Sequence, residues 1–325
     1  MIEVDLDGNV RMCGCAGWLP TVIGNLKENT LVSMLSSDTA REIRQSMIDG
    51  TFQYCNENLC GVMASNGLND LSTVPPNVKK LLSDATQFEM PHHISFQGDR
   101  TCNLSCPSCR PTVLKNNELD VERNRELGSI LRSNLFSIPS KNKIKLTVST
   151  TGELFASPLL MSFVNSIPVE DFPNLELGIQ TNGLLVAQNW HKLGAMQNRV
   201  SLMCVTVDAA RGDTYEQLRR GGKWTDIQKA LKWISNKKHE NGMQFIVRMV
   251  VQYANYSEML DFYHQSMELG ADRVEYAKIN YWGVMSQEEF KQKDVFDPEH
   301  KNYKQAQQAF DQVKNLPNVF FYGGI

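Results

Sequence analysis

Three cysteines stand within eight residues of the chain, spaced Cys-x3-Cys-x2-Cys at Cys102, Cys106 and Cys109. Thiolates are the usual protein ligands of iron–sulfur clusters, and three of them on a four-iron cluster leave one iron without a protein ligand. Zinc is the alternative, but it takes four ligands, and no adjacent histidine or fourth cysteine supplies the last one. The spacing therefore predicts a [4Fe–4S] cluster with one iron open to a small ligand.

Four further cysteines lie nearer the amino terminus, at Cys13, Cys15, Cys55 and Cys60. Four thiolates complete either a four-iron cluster without an open iron or a tetrahedral zinc site. Disulfides are disfavoured, because the first residues do not form a signal peptide and the cytoplasm, where we expect the protein, keeps thiols reduced. The sequence thus predicts two metal centres.

The elements that must position these cysteines are strand-like runs alternating with helix-like ones. Such alternation predicts an α/β fold with a parallel sheet, curved as a partial (β/α)6 TIM-type barrel, with functional groups at the carboxyl ends of its strands. We expect a small cysteine-rich domain and connector at 1–90, the barrel at 91–285, and a helix and strand extension at 286–325. The predicted barrel strands are 93–97, 144–150, 175–181, 200–208, 243–252 and 273–279.

The cysteine loop after the first strand resembles the signature of the radical S-adenosylmethionine (SAM) superfamily. After the second strand, Thr151-Gly152-Glu153 resembles the family's Gly-Gly-Glu motif, with Thr151 in place of the first glycine. The resemblance implies that Glu153 holds the amino group of SAM, and that Thr206 and Arg219 hold its ribose and carboxylate, with Arg220 as the alternative to Arg219. The SAM site implied in this way comprises Thr151, Gly152, Glu153, Gln180, Thr181, Asn182, Thr206, Asp208 and Arg219.

The amino-terminal cysteines stand in a segment that resembles a SPASM or twitch domain. The resemblance includes 7–15 and 24–26 as well as Cys55 and Cys60. It implies a second, auxiliary [4Fe–4S] cluster, with a four-cysteine zinc site as the alternative. In most relatives such a domain follows the barrel, whereas here it precedes it.

The implied activity is one-electron reduction of the cluster, cleavage of SAM to a 5′-deoxyadenosyl radical, and abstraction of hydrogen from a substrate. We expect a small sugar- or nucleotide-type molecule that undergoes epimerisation, dehydrogenation, isomerisation or decarboxylation, because the first 90 residues leave no room for a domain that recognises a leader peptide. A peptide-modifying radical SAM enzyme is the alternative. A non-catalytic iron–sulfur or zinc protein is the second alternative.

Charge and hydropathy limit the partners. The formal net charge is −3 and both signs are mixed along the chain, which disfavours an extended nucleic-acid interface. No apolar run approaches the length of a membrane span. Apart from the substrate, the expected partner is a flavodoxin- or ferredoxin-type reductant.

Several residues could border the substrate or adenine. Cys204 could return a hydrogen atom to a substrate radical, although a cysteine on a strand more often fills the core. Arg248, Gln252 and Lys278 could donate hydrogen bonds to an anionic group. Two further pairs complete the set: Ala277 and Ile279 near adenine, and Tyr281 and Trp282 near the barrel mouth.

Overall fold

The structure is a computed structural model that describes residues 1–14, 18–57, 60–64, 68, 70–73, 91–148 and 151–322. Cys15 and the last two residues of the predicted strand 144–150 lie outside these ranges. The strands are β1 (Ile2–Val4), β2 (Asn9–Arg11), β3 (Val22–Asn25), β4 (His93–Phe96), β5 (Ile144–Val148), β6 (Leu175–Thr181), β7 (Val200–Thr206), β8 (Gln244–Val251), β9 (Arg273–Lys278) and β10 (Val319–Tyr322).

Helices occupy most connections between these strands. The α-helices are α1 (Leu31–Leu35), α2 (Asp38–Ile48), α3 (Gly61–Ala64), α4 (Glu118–Leu135), α5 (Pro158–Asn165), α6 (Val186–Asn189), α7 (Gly212–Leu218), α8 (Trp224–Asn241), α9 (Met259–Glu268), α10 (Gln287–Lys293) and α11 (Tyr303–Val313). Short 3₁₀ segments lie at Leu71–Thr73, Leu154–Ala156, Trp190–Arg199 and Tyr256–Glu258.

The six predicted barrel strands are present as β4 to β9, and they pair in parallel and in chain order. A helix covers each crossover, as parallel pairing requires. The prediction of an α/β fold with a partial TIM-type barrel is therefore confirmed. Because the strands are parallel, the loops that follow β4, β5, β6 and β7 all open at one end of the sheet.

Both flanking segments extend the same sheet. Strand β1 pairs in parallel with β4, and β2 and β3 follow it in antiparallel order, while β10 pairs in parallel with β9. The described strands thus form one ten-stranded sheet with β3 and β10 at its edges. Tertiary pairing of this kind is nonlocal, and strand patterns alone do not encode it.

Local sequence accounts for several helix ends. Asn117 and Asp120 form a reciprocal capping box at the start of α4. Helix α8 ends at Gly242, which has a φ of 66° that suits glycine. At the start of α2 the Ser37 side chain accepts a hydrogen bond from Ala40 N, and Asp38 lies inside the first turn.

Candidate active site

The three clustered cysteines lie in the loop that follows β4. Backbone hydrogen bonds from Cys109 N and Arg110 N to Cys106 O, both 2.9 Å, turn the chain back on itself. Cys102 N donates to Leu114 O, which closes the loop. Cys106 is buried, Cys102 is half-buried and Cys109 is exposed, so the loop presents its thiols at different depths.

The loop after β5 packs directly against this cysteine loop. A Cβ atom added at Gly152 would lie 2.5 Å from Asp99 O and 2.8 Å from Thr101 O, so no larger residue fits there without a backbone shift. Glu153 N donates to Thr101 O at 2.8 Å. At the substituted position, the Thr151 hydroxyl donates to Asp99 O at 3.3 Å. The two loops are therefore fixed to each other by backbone contacts.

Glu153 is completely buried beside the carboxyl end of β6. Its carboxylate accepts hydrogen bonds from the Thr181 hydroxyl at 2.9 Å, from Asn182 N at 2.8 Å and from Phe155 N at 3.2 Å. Burial raises the pKa of the Glu153 carboxyl, and these donors and the Arg219 charge oppose that rise. A carboxylate has about four acceptor positions, so Glu153 retains capacity for a cationic donor.

Arg219 and Asp208 form a buried ion pair in which Nη2 and Oδ2 are 2.9 Å apart. Burial raises the pKa of Asp208, and the Arg219 charge opposes that effect. The Asp208 carboxylate also accepts a hydrogen bond from Val250 N, which anchors the pair to β8. Arg219 Nη1 lies 3.6 Å from Cys106 Sγ, and its Nε atom is buried without a hydrogen-bond partner among the described residues.

One cavity of about 310 Å³ collects the residues expected to bind the cluster and SAM. It is lined by the three loop cysteines and by all nine residues of the SAM site implied by the sequence. A larger cavity of about 830 Å³ lies between α4 and α5, and of these twelve residues it includes only Cys102. The smaller cavity is therefore the candidate active site.

The remaining candidates divide between this cavity and other surroundings. Arg248, Ala277, Lys278, Ile279 and Trp282 line the cavity, and Lys278 also pairs with Asp294 at 3.2 Å. The other four candidates do not line the cavity. Gln252 and Cys204 are buried, Cys204 in the core. Tyr281 packs edge-on against Phe290, and Arg220 is on the outside of the cysteine loop.

The Cys204 thiol is 3.9 Å from a carboxylate oxygen of Glu275. Burial raises the pKa of Cys204 to about 11, which keeps the thiol protonated. Glu275 also binds Arg248 and Arg273 at 2.5 and 2.7 Å. This charged cluster, of which Arg248 lines the cavity, was not predicted from the sequence, because it joins residues from three strands.

Arg110 is the charged residue of the cavity lining that the sequence analysis missed. It is buried, it lines the cavity, and its guanidinium contacts the Cys109 sulfur as well as Arg100 O and Thr151 O. The available signal was a cation directly after the third cysteine of the loop.

The amino-terminal cysteines form a second group. Burial raises the pKa of Cys55, and the nearby thiolates of Cys60 and Cys13 add to that rise. In the described part of the chain, which excludes Cys15, no three His, Cys, Asp or Glu side chains converge as they would around one bound metal ion. As metal ligands, all seven cysteines remain predictions.

Comparison with known proteins bears on both cysteine groups. Residues 1–61 match the model of the SPASM family, described as an iron–sulfur cluster-binding domain. Over 251 residues the chain is 22% identical to AlbA of Bacillus subtilis strain 168, an antilisterial bacteriocin subtilosin biosynthesis protein. The amino-terminal cysteines therefore stand in a segment similar to SPASM domains. The matched segment includes β1, the strand that pairs with the first barrel strand.

The chain spans about half the length of this curated relative: the match covers 74% of the chain and 51% of AlbA. Among solved structures, Streptococcus suis SuiB bound to precursor peptide SuiA is 12% identical with a TM-score of 0.47, covering 87% of this chain and 62% of SuiB. A radical SAM methyltransferase from Sphaerobacter thermophilus is 15% identical with a TM-score of 0.41, covering 68% and 63%.

Within the described residues, no helix combines the length and the apolar character that a bilayer span requires.

Proposed function

We propose that the chain is a radical SAM enzyme that reductively cleaves SAM and removes a hydrogen atom from a peptide substrate. The observation that carries the proposal is the shared cavity, which is lined by the three loop cysteines, by the buried Glu153 carboxylate and by the Arg219 guanidinium, whose side chain is 12% exposed. A carboxylate and a guanidinium at one cavity wall match the ammonium and carboxylate of an amino acid.

The residues present fit a [4Fe–4S] cluster and SAM. The unpartnered Nε of Arg219 is a buried donor with room for an acceptor, and Glu153 has acceptor capacity beyond its three donors. Cys102, Cys106 and Cys109 would hold the [4Fe–4S] cluster and leave one iron open. Glu153 would bind the amino group of SAM, Arg219 its carboxylate and Thr206 its ribose, with Ala277 and Ile279 beside the adenine.

When bound, the cluster and SAM supply a 5′-deoxyadenosyl radical. The chain's own residues position and shield it. Asp208 orients Arg219 through the 2.9 Å ion pair, and Thr181 and Asn182 fix the Glu153 carboxylate. Lys278 and Trp282 also line the cavity and would limit access of water.

Our expectation of a small sugar- or nucleotide-type substrate is less well supported than the peptide alternative. The relative AlbA takes part in the biosynthesis of a bacteriocin, and bacteriocins are antibacterial peptides or proteins. The expectation depended on a lack of room for leader recognition, and a chain that spans about half of its relative gives no basis for that argument.

The proposed division of the chain is a SPASM domain with connector at 1–90, a barrel at 91–285 and an extension at 286–325. Cys13, Cys15, Cys55 and Cys60 would bind the auxiliary [4Fe–4S] cluster. A flavodoxin- or ferredoxin-type protein would supply the electrons.

The test is anaerobic reconstitution with iron and sulfide, followed by dithionite, SAM and quantification of 5′-deoxyadenosine. The wild type should form the product and bind roughly eight irons, while a Cys102/Cys106/Cys109 triple alanine variant should form none and retain about four. Deuterium transfer from labelled peptides into 5′-deoxyadenosine would identify the substrate class. If SAM neither reacts nor perturbs the EPR spectrum of the loaded, reduced protein, the proposal is wrong.

A further inference from the structure

Each of the three loop thiols has a side-chain N–H donor near its sulfur. Asn182 Nδ2 is 3.8 Å from Cys102 Sγ, Arg219 Nη1 is 3.6 Å from Cys106 Sγ, and Arg110 Nη2 and Nε are 3.3 and 3.4 Å from Cys109 Sγ. Arg110 therefore makes the shortest contacts, and it is the only residue of the three that contacts its sulfur through two nitrogen atoms.

The Arg110 guanidinium is held rigidly by backbone carbonyls. Its Nη1 donates to Arg100 O and its Nη2 to Thr151 O, both at 2.7 Å, and the residue is 7% exposed. A planar guanidinium with several fixed donors keeps its direction better than a lysine ammonium. The donors to Cys109 are thus in place independently of how the thiol moves.

Arg110 and Arg219 also differ in whether a carboxylate pairs with their positive charge. Arg219 pairs with the Asp208 carboxylate, which carries the opposite charge. Among the described residues, Arg110 has no carboxylate within ion-pair distance. Cys109 is the exposed member of the three thiols. An uncompensated, fixed cation therefore lies beside the ligand that is most open to water.

We propose that Arg110 is a positioning residue that raises the reduction potential of the cluster on this loop. The inference rests on the proposed cluster site. Reduction adds one electron and one negative charge to the cluster, and net charge and hydrogen bonds to the sulfurs set cluster potentials. Arg110 stabilises the reduced form by both routes.

The chain offers a matched control in Arg220. Its Nε donates to Ser105 O and its Nη2 to Pro111 O, so it holds the same loop; among the described residues it donates to no cysteine sulfur. R220Q removes a loop contact and a charge at a more exposed position. R110Q removes the donors to Cys109, and R110K retains the charge but not the planar guanidinium.

The experiment measures the ratio of reduced to oxidised cluster by EPR at poised potentials, before SAM is added, in the reconstituted full chain. The signal that SAM later perturbs identifies the cluster. At the wild-type midpoint, R110Q should lower the ratio on the order of tenfold, which is about 59 mV for one electron. R110K should give a smaller decrease, and R220Q should stay within about twofold.

Two results would overturn the proposal: a ratio for R110Q within twofold of wild type, or an equal decrease in R220Q. If R110Q binds no iron, the ratio for R110K is compared with those for the wild type and R220Q instead. Loss of iron from both Arg110 variants, with normal loading of R220Q, would assign Arg110 a structural role only. A wild type without any SAM-sensitive signal would instead contradict the proposed function.

Discussion

Arg219 and Arg220 are neighbours in sequence with different surroundings. Arg219 lies inside the cavity against Asp208, whereas Arg220 lies outside and holds Ser105 and Pro111. The sequence left either residue as the candidate for the SAM carboxylate. Both follow the last turn of α7, and which of two adjacent side chains turns inward depends on where the chain leaves the helix.

The substitution R219Q should weaken SAM binding about 10- to 100-fold. It removes a charge-assisted donor, and such bonds contribute about 1.5–3 kcal/mol, with about 1.4 kcal/mol per tenfold change. The dissociation constant is measured from the SAM-induced change in the EPR spectrum. R220Q, with iron content checked in both variants, should bind SAM as the wild type does; equal weakening would contradict the assignment to Arg219.

At the scale of elements, the pairing of β4 with β5 places His93 opposite Lys145. His93 Nε2 and Thr147 Oγ1 lie 2.9 Å apart. Burial, with a smaller contribution from the Lys145 charge, lowers the pKa of His93 to about 4. The folded chain therefore keeps this imidazole neutral at pH values where a solvated histidine accepts a proton.

This shift predicts a stability that decreases as the pH falls from about 6.5 towards 4. In that window the unfolded chain binds a proton that the folded chain excludes, so protonation favours unfolding; above about 6.5 the contribution disappears. H93Q should therefore lose less stability than the wild type between pH 7 and pH 5.5. The measurement is anaerobic urea unfolding at several pH values, and parallel curves for the two proteins would refute the argument.

At the scale of the whole molecule, both flanking segments belong to the barrel sheet. Strand β1 binds Gln97, which stands just before the cysteine loop. Gln97 N donates to Val4 O at 2.9 Å, and the Gln97 side chain donates to Glu3 at 2.6 Å. At the other edge, β10 brings Tyr322 to the buried Glu275, with the hydroxyl 3.1 Å from a carboxylate oxygen. The two extensions thus support opposite sides of the site.

The substitution Y322F should lower the free energy of unfolding by about 1–2 kcal/mol, because a buried carboxylate loses a donor. Y303F is the control within the same carboxyl-terminal extension, since the Tyr303 hydroxyl accepts a hydrogen bond from Gln307 in an exposed pair. That control should change stability by less than about 0.5 kcal/mol. Urea unfolding measures both, and equal values would show that β10 contributes little through Glu275.

The sequence predicted the six barrel strands and the loops that follow them, because strand periodicity and cysteine spacing are local signals. It did not predict that β1 and β10 join the sheet, or that Glu275 gathers Arg248, Arg273 and Tyr322, because these contacts link residues far apart in the chain. Arg110 was missed for another reason: a cation beside a cysteine in the sequence is interpreted as a solvated surface charge, and only the fold shows the backbone carbonyls that bind it.

The contact between the two loops at Gly152 has a consequence for recognising proteins of this kind in genomes. The Thr151 side chain finds an acceptor at Asp99 O, so the first position of the motif tolerates a hydroxyl residue. At Gly152 the carbonyls of Asp99 and Thr101 leave no space for any side chain. A sequence search that demands two glycines would discard this chain, whereas one that demands Gly-Glu and permits serine or threonine before it would retain it.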